Sequence, residues 1–159
     1  MAIQVGEAIP EATLKTMGAE GPQDLSTTDI FAGKKVLMFA VPGAFTPGCS
    51  ITHMPGYVVN ADKIKAAGVD TIACMSVNDV FVMDAWGKAQ NADEILMLAD
   101  GMGEFAAALD LELDGSAFGL GTRSQRFALI AEDGVVTHIN VESGPGVDVS
   151  SAESMMALL

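Results

Sequence analysis

Cysteine and histidine are both scarce here, two of each in 159 residues. Two thiols, Cys49 and Cys74, are too few for a disulfide scaffold. The opening MAIQVGEAIP has no basic segment followed by an apolar one, the mark of a secretory leader. Reduced thiols and a cytoplasmic location are therefore expected. The histidines, His53 and His138, lie far apart and share no ligand spacing with the cysteines, so neither a metal nor another bound cofactor is expected. Positive charge is short as well. Eight basic side chains against 21 acidic ones leave a net charge of −13, which repels phosphate backbones and anionic lipid surfaces alike, so nucleic acid and membrane are excluded as partners. No apolar run reaches the roughly 18 residues needed to cross a bilayer, and neither repeats nor low-complexity tracts occur.

What is present suits one compact domain over residues 1–159. Half of the residues are hydrophobic and 18% are charged, enough to build a sizeable core. VLMFAV, Val36 to Val41, is a continuous apolar run that stops at Pro42, the pattern of a strand buried on both faces. DTIACMSV (Asp70 to Val77) and EILMLAD (Glu94 to Asp100) have the same character. RFALIAEDGVVTHINVE, Arg126 to Glu142, carries Asp133-Gly134 between two β-prone runs and predicts a hairpin. Ile51, Met54, Tyr57, Val58, Ala61 and Ile64 recur at helical spacing ahead of Gly68, which predicts an amphipathic helix bent near Pro55. Further helices are expected from Asn78 or Asp79 through Asn91, from Gly103 to Leu109 and from Ser151 to Leu159. This alternation implies an α/β fold, a mixed central sheet flanked by helices.

Cys49 falls just beyond the C-terminal end of the first of these strands, in the opening turn of the helix that follows. Ligand sites of open α/β sheets favour that crevice, and the free N–H groups of a helix start stabilise an anion there. The thiolate is the reactive form of cysteine, so the location carries chemical meaning. Pro47 suits the first helical turn, and Thr46 is placed either to cap the helix or to bond the sulfur. The competing reading of Cys49 is a small buried hydrophobe, as isolated cysteines often are.

The stretch PGAFTPGCS, Pro42 to Ser50, decides between them. It resembles the active-site signature of the peroxiredoxins, Pro-x-x-x-Thr-x-x-Cys, carried here by Pro42, Thr46 and Cys49. KKVLMFAVPGAFTPGCSITHMPGY, CMSVNDVFVMDAW and GLGTRSQRFALIAEDGVV extend the likeness to the type II, or Prx5-like, branch, from about Gly6 to Glu142. The resemblance implies a thioredoxin-like fold with an N-terminal extension and an inserted helix. It also implies a thiol-dependent peroxidase acting on hydrogen peroxide and alkyl hydroperoxides, with Cys49 as the peroxidatic cysteine that becomes a sulfenic acid. Thr46 would bond sulfur and peroxide, Pro42 would shield the pocket from water, and Arg126 would be the arginine brought from a distant strand. Arg126 rather than Arg123 matches, because it directly precedes the strand FALI; the competing role for Arg126 is a surface ion pair with one of the acids. The chemistry needs such groups, since charge growing on the leaving oxygen must be met by donors already in place.

His53, four residues after Cys49, is read as support for the pocket rather than as a general base, and His138 as an ordinary strand residue. Some Prx5-like enzymes carry a resolving cysteine in the segment matching GVDVSSAES, where this chain has Val149, Ser150 and Ser151. Cys74 lies within an apolar strand and reads as core. The resemblance then implies a 1-Cys cycle resolved by an external thiol, glutathione with glutaredoxin, or thioredoxin. It further implies a homodimer that uses some of Phe45, Phe81, Met83 and Trp86, whose alternative place is the core. A thioredoxin-type oxidoreductase is disfavoured because Cys49 lacks a Cys-x-x-Cys partner. A redox-responsive sensor or holdase, in which oxidation of Cys49 alters a binding surface, is the alternative function.

Overall fold

The computed structural model describes residues 1–159. Three apolar runs become the parallel centre of a sheet: β3 (Lys35–Ala40), β4 (Thr71–Ser76) and β5 (Ile95–Ala99). Because side chains alternate along a strand, Leu37, Phe39 and Val41 enter one core, under the helices that follow β3 and β4, while Val36, Met38 and Ala40 enter another on the opposite face. Both cores exclude water, which is why these strands read as unbroken apolar runs rather than alternating ones.

The expected hairpin is β8 (Phe127–Glu132) and β9 (Val135–Val141), joined at Asp133 and Gly134 with φ of 50° and 78°. Two successive positive φ values match the right-handed strand twist, and Asp-Gly tolerates them. β8 runs antiparallel beside β3 and so delivers its N-terminal end next to the C-terminal end of β3. Arg126 immediately precedes β8, and Cys49 follows β3 by nine residues; the antiparallel register brings the two together.

An N-terminal hairpin, β1 (Thr13–Gly18) with β2 (Gly21–Ser26), and the short helix α1 (Thr27–Phe31) complete one edge; periodicity did not predict them. β2 is an edge strand, GPQDLS, with a proline and little apolar alternation. The start of α1 nevertheless has a sequence signal, the capping box in which Ser26 and Asp29 bond each other's backbone. The strand order is β2-β1-β5-β4-β3-β8-β9, and a separate pair, β6 (Glu112–Asp114) with β7 (Thr122–Ser124), stands beside it.

Helix α2 spans Met54–Ala66, shorter than its apolar spacing predicts, and Gly68 past its end has φ of 108°. Ahead of it lies a π-helical turn, Cys49–His53, in which Met54 N–H donates to the Cys49 carbonyl. The wider turn rotates the face of the helix. Ile51, expected on the buried side, points to solvent at 75% exposure, whereas Cys49 and His53 are buried. The chain thus passes from π to α geometry where a bend was expected, with Pro55, which has no N–H to donate, in the first turn of α2. Asp79, not Asn78, caps α3 (Val80–Ala89), while α4 (Glu104–Ala108) and α5 (Ala152–Met156) lie inside their expected ranges. No helix is long and apolar enough to cross a membrane.

Candidate active site

Pro47 opens the helix, and Ser50 N–H closes its first bond onto the Thr46 carbonyl at 2.9 Å. The N–H groups of Gly48 and Cys49 have no carbonyl partner, as at any helix start, so the positive end of the helix lies beside the sulfur. The preceding loop is held from outside. Ala44 N–H donates to Asn78 Oδ1 at 2.9 Å, and the Ser76 hydroxyl donates to the same oxygen at 2.6 Å. Phe45 in this loop has φ of 67°, a conformation that costs a residue with a side chain about 1–3 kcal/mol. The loop sacrifices that energy to turn the chain back so that Thr46 faces Cys49.

Cys49 Sγ is fully buried and receives two donors. The Thr46 hydroxyl lies 2.9 Å away and Arg126 Nη2 lies 3.2 Å away. Thr46 Oγ1 is also 2.7 Å from the Gly43 carbonyl. A hydroxyl has one proton, so with a thiol it donates to Gly43 and accepts from S–H; with a thiolate the proton must turn to the sulfur. Thr46 can thus partner the sulfur in either form, whereas Arg126, which only donates, sets a positive charge beside it.

Arg126 is buried and has no carboxylate partner. Five ion pairs occur in this strongly acidic chain, and none involves an arginine. The surface ion pair considered for Arg126 is thereby replaced by a bond to sulfur. Its second branch, Nη1, lies 2.8 Å from His53 Nδ1. A guanidinium only donates, so Nδ1 is the unprotonated ring nitrogen, and Nε2–H donates to the Ser150 carbonyl at 3.0 Å. Phe39 walls the ring at 4.9 Å between centroids, and Tyr57 stacks on Phe39 at 3.9 Å while its hydroxyl donates to the same Ser150 carbonyl at 2.7 Å.

Burial, with the Arg126 charge adding to it, pushes His53 down to about 4, against its Ser150 bond and Glu142. His53 is thus neutral at pH 7 and supports Arg126 instead of acting as an acid. The sign of the resulting pH effect follows. Below its ordinary value of 6.5 the unfolded chain takes up a proton that the folded chain refuses until about pH 4, so stability is lost as pH falls through that window. The loss amounts to about 3 kcal/mol. Urea unfolding at pH 7 and pH 4.5 is expected to show a steeper fall for the wild type than for His53→Gln; equal falls would remove this account of His53.

Pro42 lies half-buried at the mouth, on a cavity of about 460 Å³ that Leu113, Phe118, Leu120, Arg126 and Pro145 also line. Arg123, set aside in the sequence reading, is close by. Its Nη1 lies 3.4 Å from the Pro42 carbonyl, and its Nε donates to Leu120, so it braces the loop without reaching the sulfur. Asn78, Tyr57 and Ser150 also belong to this region; the sequence offered Asn78 as a helix cap, Tyr57 as part of an apolar helix face and Ser150 as part of the segment where a resolving cysteine could lie, and none of them as a partner of the site. Cys74 lies in β4, fully buried, and burial pushes its thiol well above the usual value, with repulsion from Cys49 adding to it. Met83 and Trp86 are core residues, Trp86 donating to Ser50 Oγ at 3.0 Å, whereas Phe45 and Phe81 remain 55% and 65% exposed. No group of three or more His, Cys, Asp or Glu side chains is arranged to hold a metal ion.

Comparison with known proteins gives the family and the fold. The redoxin family model matches residues 4–156. Peroxiredoxin-2D of Arabidopsis thaliana is 47% identical over 99% of this chain and 98% of its own. The solved structure of reduced Prx3 from Vibrio vulnificus in complex with H2O2 is 56% identical, with a TM-score of 0.95 over 98% of both chains. Peroxiredoxin 5 from Alvinella pompejana is 36% identical, with a TM-score of 0.86 over 98% of this chain and 96% of that one. The mixed sheet is thus a thioredoxin-like one, and the chain belongs to the redoxin family as a peroxiredoxin, a thiol-dependent peroxidase.

Proposed function

We propose that Cys49 is the residue that reduces the peroxide, in a cycle that uses one cysteine of the chain and an external thiol. The observation that carries this reading is the buried guanidinium of Arg126, which has no carboxylate and whose nearest candidate anion is Cys49 Sγ. A buried cation without a counter-charge is costly, and ionisation of the sulfur supplies one. In the reaction, the thiolate attacks one peroxide oxygen and the O–O bond breaks. Sulfur is oxidised to the sulfenic acid, and the other oxygen leaves as hydroxide or alkoxide and takes up a proton. Thr46 and Arg126 supply the donors for that developing charge, and Pro42 keeps water from the site. The cavity beside Arg126 is lined by Leu113, Phe118 and Leu120, which suits the alkyl part of an organic hydroperoxide.

Resolution by an outside thiol is favoured by the absence of a usable second one. An external thiol, glutathione with glutaredoxin or thioredoxin, displaces water from the sulfenic acid to form a mixed disulfide. A second thiol then releases Cys49 and carries off the disulfide. No bound cofactor takes part in this scheme. Exposed Phe45, in the loop ahead of Cys49, and exposed Phe81, in α3, support the homodimer. Mass spectrometry after one equivalent of hydrogen peroxide tests the cycle. The expected products are sulfenic acid on Cys49 and, with glutathione present, a mixed disulfide there; an intramolecular Cys49–Cys74 disulfide would defeat it. Excess peroxide is expected to carry Cys49 on to sulfinic acid.

A further inference from the structure

The hydrogen bonds behind Arg126 continue past His53. The Ser150 carbonyl that accepts from both His53 and Tyr57 belongs to the connection between β9 and α5, a stretch with no helix or strand of its own. A buried carbonyl that orients a buried imidazole has to be held by something, and here one carboxylate oxygen does so. Glu142 Oε2 accepts from Asp148 N–H at 2.8 Å, from Ser150 N–H at 2.8 Å and from the Ser150 hydroxyl at 2.6 Å. Burial works to raise the Glu142 carboxyl, but the Ser150 hydroxyl and the loop N–H groups outweigh it and hold the acid below the usual carboxylate range. The backbone adds a second link, since Glu142 N–H donates to the Arg126 carbonyl at 3.0 Å. Glu142 takes part in no ion pair; its side-chain hydrogen bonds all go to this loop, while the residue also borders the cavity beside Arg126.

We propose that Glu142 is a positioning residue for Cys49: it gathers the Asp148–Ser150 segment so that the Ser150 carbonyl fixes the His53 tautomer that receives Arg126 and keeps the guanidinium on the sulfur. The inference rests on the reading of Cys49 as the reacting group. Removal of the carboxylate leaves the N–H and hydroxyl of buried Ser150 without acceptors, and the segment must shift toward water to satisfy them. His53 Nε2–H then loses its carbonyl. Arg126 is then the one group left to keep the ring proton off Nδ1, and in the fraction of molecules where the proton moves there it opposes an Arg126 N–H, donor against donor, and turns the guanidinium away from the sulfur.

Two measurements test this on the full chain. The first is the rate at which one equivalent of hydrogen peroxide oxidises Cys49, followed by quenching and mass spectrometry. The second is the nitrogen NMR signature of the His53 ring, which distinguishes the two tautomers. Glu142→Ala is expected to slow oxidation about tenfold, the scale typical of groups that orient a reacting side chain from behind, and to alter the ring signature. Glu142→Gln keeps a neutral acceptor and is expected to restore most of both. In a His53→Gln background the alanine change is expected to cost less than about twofold, because the link it acts through is already gone. If Glu142→Ala does not fold, Ser150→Ala, which removes only the hydroxyl bond, is expected to move rate and ring signature in the same directions by less. The wild-type rate with an unaltered ring signature in Glu142→Ala, or an equal loss in both backgrounds, would overturn the proposal. A wild type that peroxide does not oxidise at Cys49 would instead sink the reading of Cys49, and the ring signature would still decide whether Glu142 sets His53.

Discussion

Cys49→Ser is expected to reduce peroxide consumption to the uncatalysed background, while Cys74→Ala retains turnover. The two thiols sit in the same core cluster and are both fully buried, so burial does not distinguish them. Their partners do. Cys49 faces a hydroxyl at 2.9 Å and a guanidinium nitrogen at 3.2 Å, both of which stabilise a negative sulfur. Cys74 is packed within the sheet, where burial first and the neighbouring Cys49 second oppose ionisation and hold it in the unreactive thiol form. Serine preserves the shape and both hydrogen bonds of Cys49, yet its hydroxyl is a far weaker acid and its oxygen a poor nucleophile toward O–O bonds. Loss of activity in that variant thus separates sulfur chemistry from packing. Cys74→Ala is expected to cost stability alone, about 1 kcal/mol by thermal unfolding. Retained turnover in Cys49→Ser, or its loss in Cys74→Ala, would reverse the assignment.

Local signals in the sequence carried far because the pieces around Cys49 are local. VLMFAV had to be a doubly buried strand, Pro42 had to end it, and Pro47 suited a helix start; together they place Cys49 without any long-range contact. The Asp133-Gly134 turn, written in two residues, sets β8 against β9. What was illegible depends on non-local partners or on phase. The bond from Arg126 to Cys49 spans 77 positions, and only the family resemblance chose Arg126 over Arg123. The π turn keeps the same residues at nearly the same spacing as an α turn, so periodicity put Ile51 inside, although one extra residue per turn swings it out. Edge strand β2 survives through backbone pairing with β1 rather than through a buried face, and therefore left no apolar pattern to read. Glu142 read as the end of a β-prone run and Ser150 as part of the segment where a resolving cysteine could lie, because holding a carbonyl in place leaves no pattern along the chain.

Replacing Arg126 by methionine is expected to lower kcat/KM for hydrogen peroxide by about 10²–10³, the usual cost of deleting one donor that meets charge developing in a transition state. Methionine fills much of the volume but takes away the positive charge, the bond to Sγ and the bond to His53 Nδ1 at once. Left unpaired in a dry site, that ring nitrogen costs a further 1–3 kcal/mol or so in unfolding free energy. Lysine is expected to recover only part of the rate. Its ammonium is a single point, whereas the forked guanidinium reaches the sulfur with one branch and the imidazole with the other, and a buried lysine can shed its proton in a way arginine does not. Arg123→Ala is the informative companion, because Arg123 braces the Pro42 carbonyl at 3.4 Å without touching the sulfur. It is expected to cost less than about tenfold, a loosened loop against a lost charge. If Arg123→Ala were the more damaging of the two, the cation that matters would be the one at the mouth. The bond between Arg126 and Cys49 would then be packing rather than catalysis.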